Sequence, residues 1–181
     1  MTDPIAAWRT EHSYFNQLLR LLQKQLDLFH RGGQANYELV LDIVTYLRDY
    51  SDRYHHPRED VAFARLAQRC PDLQLMLARL EQEHRVIAHA GEKLRALVQE
   101  ILGGAIIPRA ELEMATATYL VYYGNHIAKE EEDVLTRAAQ ALAPEDWEAV
   151  RAAVAPARDP LFGNATEERF RELRRQIALE A

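Results

Sequence analysis

The chain lacks most of what marks secreted, membrane-spanning or nucleic-acid-binding proteins. It has one cysteine, Cys70, which excludes an internal disulfide and fits a reducing cytoplasm, the expected location. No apolar stretch approaches the roughly 20 residues that span a bilayer. The opening "MTDPIAAWRTEH" has no basic region followed by an apolar run, so no signal peptide is read there. Basic residues are in deficit, 22 Lys and Arg against 28 Asp and Glu, and they are scattered. That argues against nucleic acid and against an anionic membrane as partners. Strand-like alternation of useful length is absent, and so is any low-complexity tract.

What is present is helical. Glycine and proline, seven of each, punctuate the chain at "HRGGQAN" (30–36), "RCPD" (69–72), "GGAIIPR" (103–109), "LAPED" (142–146) and "APARDPLFGNAT" (155–166). Between the breaks lie four long segments and two short ones. Ile5, Trp8, Phe15, Leu19, Leu22, Leu26 and Phe29 recur at steps of three and four, with His12 in the slot between Trp8 and Phe15. The third segment repeats the pattern through Leu73, Leu77, Leu80, Ile87, Leu94 and Val98, with His84 in the missing slot. The second runs Val40, Val44, Leu47, Ser51, then His55 and Glu59, then Ala62 and Leu66. The fourth runs Leu112, Ala115, Tyr119, Tyr122, then His126 and Glu130, then Val134. A helix normally keeps such polar residues on its solvent face.

Short connections predict an all-α fold: an antiparallel up-down-up-down four-helix bundle over residues 1–142 with two further C-terminal helices in 143–181. In that topology the polar slots fall in one layer. At 1.5 Å per residue, His12 lies about 27 Å from the end of the first helix and His55 about 28 Å from the start of the second. His84 and His126 each lie about 26 Å from the turn that joins their helices. His55 and Glu59, and likewise His126 and Glu130, are spaced i, i+4 and so share a face. Imidazoles with carboxylates and no thiolate suit iron, manganese or zinc. Glu59 and Glu130 have two oxygens each and are natural bridges in a dinuclear site. Burying these groups unpaired would cost several kcal/mol each, a penalty that metal ligation removes.

The order of His12, "HHPRE" (55–59), "EH" (83–84) and "HIAKE" (126–130) over about residues 5–142 resembles the hemerythrin-like, HHE cation-binding family. The resemblance implies a non-heme centre of two iron ions (Fe2+/Fe3+), bridged by carboxylates and an oxo or hydroxo group. It also implies about five histidine ligands and an open position for oxygen or another small ligand. Carried over, the metal ligands are His12, His55, Glu59, His84, His126 and Glu130. Oxygen-carrying hemerythrins place a second histidine four residues on in the third helix, where this chain has Ala88; His56 is the better candidate for the fifth histidine. Glu131 corresponds to the acid that those proteins use, and geometry favours Glu130. These departures point away from reversible oxygen transport and toward sensing, redox or iron handling. The expected ligand is a small diatomic (oxygen, nitric oxide) or peroxide; turnover of peroxide and iron–sulfur repair remain alternatives, so the question of an enzyme stays open. So does an iron-store or metal-stabilised interaction module.

Several residues carry plainer expectations. Pro57 is expected to remove a helical hydrogen bond and kink the second helix beside the site. Asp60 is read as an acceptor for a ligand or a solvated acid; Glu81, three residues before His84 but about 60° off the apolar stripe, is weighed only as an extra ligand. His30 and His89 are read as structural and surface residues. The extension, with apolar faces at Trp147, Val150, Val154 and at Phe170, Leu173, Ile177, is expected to pack on the bundle or to make a homodimer contact.

Overall fold

The computed structural model describes residues 3–155 and 157–180, with no strand among them. Helix α1 spans Pro4–His30. It starts where the Asp3 carboxylate accepts the Ile5 N–H at 3.0 Å, with proline at the position whose N–H would be unused anyway. It stops at Gly32, whose φ of 80° only glycine adopts without strain. Helix α2, Tyr37–Tyr46, is capped by Asn36, whose side chain accepts the Leu39 N–H at 3.0 Å. It runs without a break through a π-helical segment, Leu47–His55, into α3, His56–Arg69. Helix α4 spans Gln74–Leu102 and α5 Arg109–Lys129. A second π-helical segment, Glu130–Val134, leads into α6, Leu135–Ala141. Helices α7, Pro144–Ala153, and α8, Arg171–Glu180, complete the chain.

Two separate apolar clusters form the core, and each long helical run passes from one to the other. One contains Phe15, Leu18, Leu22, Val44, Leu47, Ile87, Leu94, Val98, Leu112, Tyr119 and Tyr123. The other contains Ile5, Trp8, Ala62, Phe63, Leu66, Leu77, Leu80, Val134, Leu135 and Ala138. Between them every run contributes buried polar groups: His12, then His55, His56 and Glu59, then Glu83 and His84, then His126 and Glu130. The molecule is therefore two hydrophobic cores with a polar layer between them.

The expected disturbance at Pro57 takes a specific form. Its ring cannot donate to the carbonyl four residues back, and the preceding segment is wound in i→i+5 fashion, with the His56 N–H bonded to the Ser51 carbonyl. The C-terminal segment packs against the long runs. Helix α7 lies on α3, and α8 contacts α1 and α2. Leu161, Phe170, Leu173 and Ile177 join the first cluster. Tyr46 donates to Asp159 at 3.1 Å, and the same carboxylate accepts the Leu161 and Phe162 N–H groups at 2.8 Å each.

Candidate metal centre

Adjacent residues on an α-helix point about 100° apart, so His55 and His56 would not ordinarily face one point. Here they serve two different halves of the layer. His12, His55 and Glu59 bring one ligand atom each within 4.8 Å of one another; His56, Glu59, His84 and His126 form a second such group. Glu59 belongs to both. Its Oε1 lies 3.3 Å from His12 Nε2 and 3.0 Å from His55 Nε2, while its Oε2 lies 3.5 Å from His84 Nε2. Glu130 spans the same gap the other way round. Its Oε2 lies 3.5 Å from His12 Nε2, and its Oε1 lies 3.0 Å from His126 Nε2 and 3.6 Å from His84 Nε2. The arrangement is two-sided, with two histidines on one side, three on the other and two carboxylates facing both.

The donor set fits metal ions on a direct observation. Glu59 Oε2, His84 Nε2, His126 Nε2 and both carboxylate oxygens of Glu130 are buried without a hydrogen-bond partner among the described residues. Several of them lie within 3.6 Å of each other and still lack hydrogen-bond alignment. Buried polar atoms are normally satisfied; these aim past one another at shared points. Two cations placed there would satisfy all of them.

Around this layer runs a ring of outer carboxylates, and each fixes a histidine on another helix. His55 Nδ1 donates to Glu11 at 2.5 Å, His84 Nδ1 to Asp60 at 2.7 Å, His126 Nδ1 to Glu83 at 3.3 Å and His12 Nδ1 to Glu131 at 2.8 Å. Every one of these acids is the sequence neighbour of an inward-facing residue: Glu11 of His12, Asp60 of Glu59, Glu83 of His84, Glu131 of Glu130. The ring thus passes from α1 to α3, to α4, to the end of α5 and back to α1. A carboxylate on Nδ1 sets the tautomer and turns Nε2 inward. Basic side chains back three of the four: Arg58 on Glu11 at 2.5 Å, Lys129 on Glu83 at 2.7 Å, Arg9 on Glu131 at 3.5 Å. His56 differs, with Nδ1 3.4 Å from Asp52 of its own helix and Nε2 3.2 Å from Ser51 Oγ.

Electrostatics follow from this packing. Burial works against a charge on His12, but Glu131 and Glu59 outweigh it and push its pKa up to about 10. Burial likewise opposes charge on His84, and Asp60, Glu130 and Glu59 raise it to about 11. Glu59 is held well below the usual carboxylate range because His55 and His12 overcome its desolvation. His56 has no such compensation: burial, then the neighbouring His84 charge, hold it well below its ordinary value. Asp52 is pushed up to about 7 by burial. The layer is therefore set to carry protons on some imidazoles where metal cations would otherwise sit.

Hemerythrin HHE cation binding domain is the family whose model matches the chain, over residues 3–138. The chain belongs to the hemerythrin HHE cation-binding family. No curated protein and no solved structure matches it. The matched region takes in the whole polar layer and stops before α7.

Within this HHE domain the structure gathers His12, His55, His56, Glu59, His84, His126 and Glu130 into one layer. Glu81, weighed only as an extra ligand, is exposed and pairs with Arg85 at 3.2 Å, away from the layer. His30 and His89 are exposed. Sequence reasoning missed Glu11, Glu83 and Glu131 as histidine partners, because next to a ligand-type residue an acid reads as the edge of the solvent face. The available signal was that four acids sit beside four inward residues.

Proposed function

We propose that the HHE domain holds a non-heme di-iron centre, with His12, His55, His56, Glu59, His84, His126 and Glu130 as ligands, and that it binds or senses oxygen or a related small ligand. The observation that carries this reading is the two-sided placement of Glu59 and Glu130, each with one oxygen toward the two-histidine side and the other toward the three-histidine side. A single ion would leave one oxygen of each carboxylate buried and unused. The two-histidine side offers an ion one protein donor fewer, so a small ligand would be taken on that side. Iron at such a site supplies reversible one-electron chemistry and affinity for small ligands.

The chain's own residues do the rest. Four outer carboxylates hold imidazoles with Nε2 inward, and the two apolar clusters keep bulk water from the layer. The order in which each run meets those clusters supports an antiparallel up-down-up-down bundle: α1 and α4 pass one way, α2–α3 and α5–α6 the other. Residues 143–181 act as an extension packed on it. A histidine-rich shell, with Glu81 pointing elsewhere, favours ligand binding over carboxylate-rich oxidase chemistry.

The test is the ultraviolet–visible spectrum of protein loaded with ferrous iron without air and then exposed to oxygen. Charge-transfer bands that appear on exposure and vanish on re-reduction support the reading. A featureless spectrum from fully loaded protein would defeat it and leave zinc or a structural cation.

A further inference from the structure

Outside the polar layer, a cavity of about 240 Å³ lies where the extension meets the HHE domain. Trp8 and Tyr54 wall it from the domain, and Trp147, Val150 and Val154 wall it from the extension. Trp8 packs edge-on against Trp147 at 5.4 Å, so the two sides are joined through their aromatic rings. The family match ends at residue 138 and α7 begins at Pro144. Helix α7 therefore completes a cavity that the matched region does not enclose by itself. Two charged side chains line it, Arg58 and Arg151, and both are basic; no carboxylate lines it. In a chain of net charge −6, an aromatic cavity with cations alone is built for an anion that carries apolar surface.

We propose that this cavity binds a small carboxylic acid with a flat apolar body, the carboxylate held by Arg58 and Arg151 and the body by Trp8, Trp147 and Tyr54. Arg58 is 14% exposed, and its guanidinium is fixed in place. It lies over the Tyr54 ring at 4.0 Å, Nε donates to the Tyr54 carbonyl at 3.2 Å and Nη2 to Glu11 at 2.5 Å. Nη1 has no hydrogen-bond partner among the described residues and keeps its donors for a ligand. Arg151 is 47% exposed, and its bonds go to Glu148 on its own helix. Such a surface pair contributes little and is readily exchanged for a ligand carboxylate. Guanidinium groups match a carboxylate, and aromatic walls match a flat body. A fully polar anion would leave the apolar walls uncovered; a neutral molecule would leave the cations unused. The cavity also touches the polar layer. Trp8 stands edge-on to His55 at 6.2 Å, and Arg58 holds the Glu11 that accepts from His55 Nδ1. Binding of the acid needs no metal, so it stands apart from the di-iron reading.

The chain has two tryptophans, and both line this cavity, so intrinsic fluorescence reports on it directly. 3-Phenylpropanoate titrated into the full chain should change that emission and saturate. 3-Phenylpropanamide, the same body without the charge, should bind about tenfold more weakly. Arg151→Met keeps the stem of an exposed side chain, so folding is not at risk. It should weaken the acid about tenfold and leave the amide unchanged. Val154→Phe fills the cavity without removing a cation and should weaken acid and amide together, with the helical circular dichroism of the wild type. Emission that never saturates, an amide that binds as tightly as the acid, or Arg151→Met that binds the acid like the wild type would each overturn the proposal. So would undiminished binding to Val154→Phe, which would put the acid elsewhere. The titration gives the same answer whether or not the iron spectrum fails, so the two readings fall separately.

Discussion

Replacing Glu11 by alanine should loosen the centre without touching any inward-facing residue. Three donors converge on that carboxylate: His55 Nδ1 and Arg58 Nη2 at 2.5 Å each, and the Tyr50 hydroxyl at 3.0 Å. Hydrogen bonds to a charged group contribute about 1.5–3 kcal/mol each, but a sum of three overstates the loss. Arg58 retains the Tyr54 carbonyl at 3.2 Å and its stack on the Tyr54 ring at 4.0 Å, and its side chain is 14% exposed, so it can turn to water. His55 cannot, since it is sealed between His12 and Phe15. The net cost is then about 2–4 kcal/mol, which at roughly 2–4 °C per kcal/mol for a chain of this size gives a fall of about 4–16 °C in Tm. Loss of the Nδ1 acceptor also leaves the His55 tautomer unset and should weaken metal binding about 10–100-fold. Thermal unfolding of metal-free protein and competition with a chelator measure the two effects separately. Should Glu11→Ala melt with the wild type and hold metal equally well, the ring of outer carboxylates is not what orients the histidines.

The remaining expectations are more compact. His12 and His84 keep their protons up to about pH 10 and 11, against about 6.5 in an unfolded chain. In metal-free protein this stabilisation is fully present below about pH 6.5 and disappears as pH rises through 10 and 11; melts across that range check it. Loading runs the opposite way: bare nitrogens are needed, so metal uptake at neutral pH should release protons and tighten as pH rises, measurable with a pH indicator. Glu59→Gln keeps the shape but leaves one carboxylate to face both sides, and the metal content should fall to one ion per chain or fewer. In Gly91→Ala the new Cβ would meet Tyr119 Cε2 at 2.9 Å. The ring is 1% exposed and cannot swing away, so overpacking of about 1–3 kcal/mol outweighs a helix gain of about 1 kcal/mol, and the Tm should drop.

Much of this architecture was legible because polar slots interrupt otherwise regular apolar stripes. His12 between Trp8 and Phe15, or His84 between Leu80 and Ile87, stands out by periodicity alone, and the breaks at 30–36, 69–72 and 103–109 coincide with the ends of α1, α3 and α4. The π-helical segments were not legible in the same way. Pro57 announced a disturbance, yet its outcome, nine residues of wider winding that end at His55, depends on what the carbonyls of that turn can reach. The segment at Glu130–Val134 has no proline at all. Outer partners were harder still. Glu83 and Glu81 look alike in sequence, and only the packing of α4 on α5 sends Glu83 to His126 and Lys129 while Glu81 stays in solvent beside Arg85.

The central claim is that Glu59 and Glu130 hold two irons side by side, and a Mössbauer spectrum of the iron-loaded, air-oxidised protein tests it most directly. The account predicts two high-spin ferric signals of equal intensity that stay unsplit at low temperature in a weak field, because the paired irons cancel each other's magnetism. A magnetically split spectrum from a single, uncoupled ferric ion per chain would contradict it.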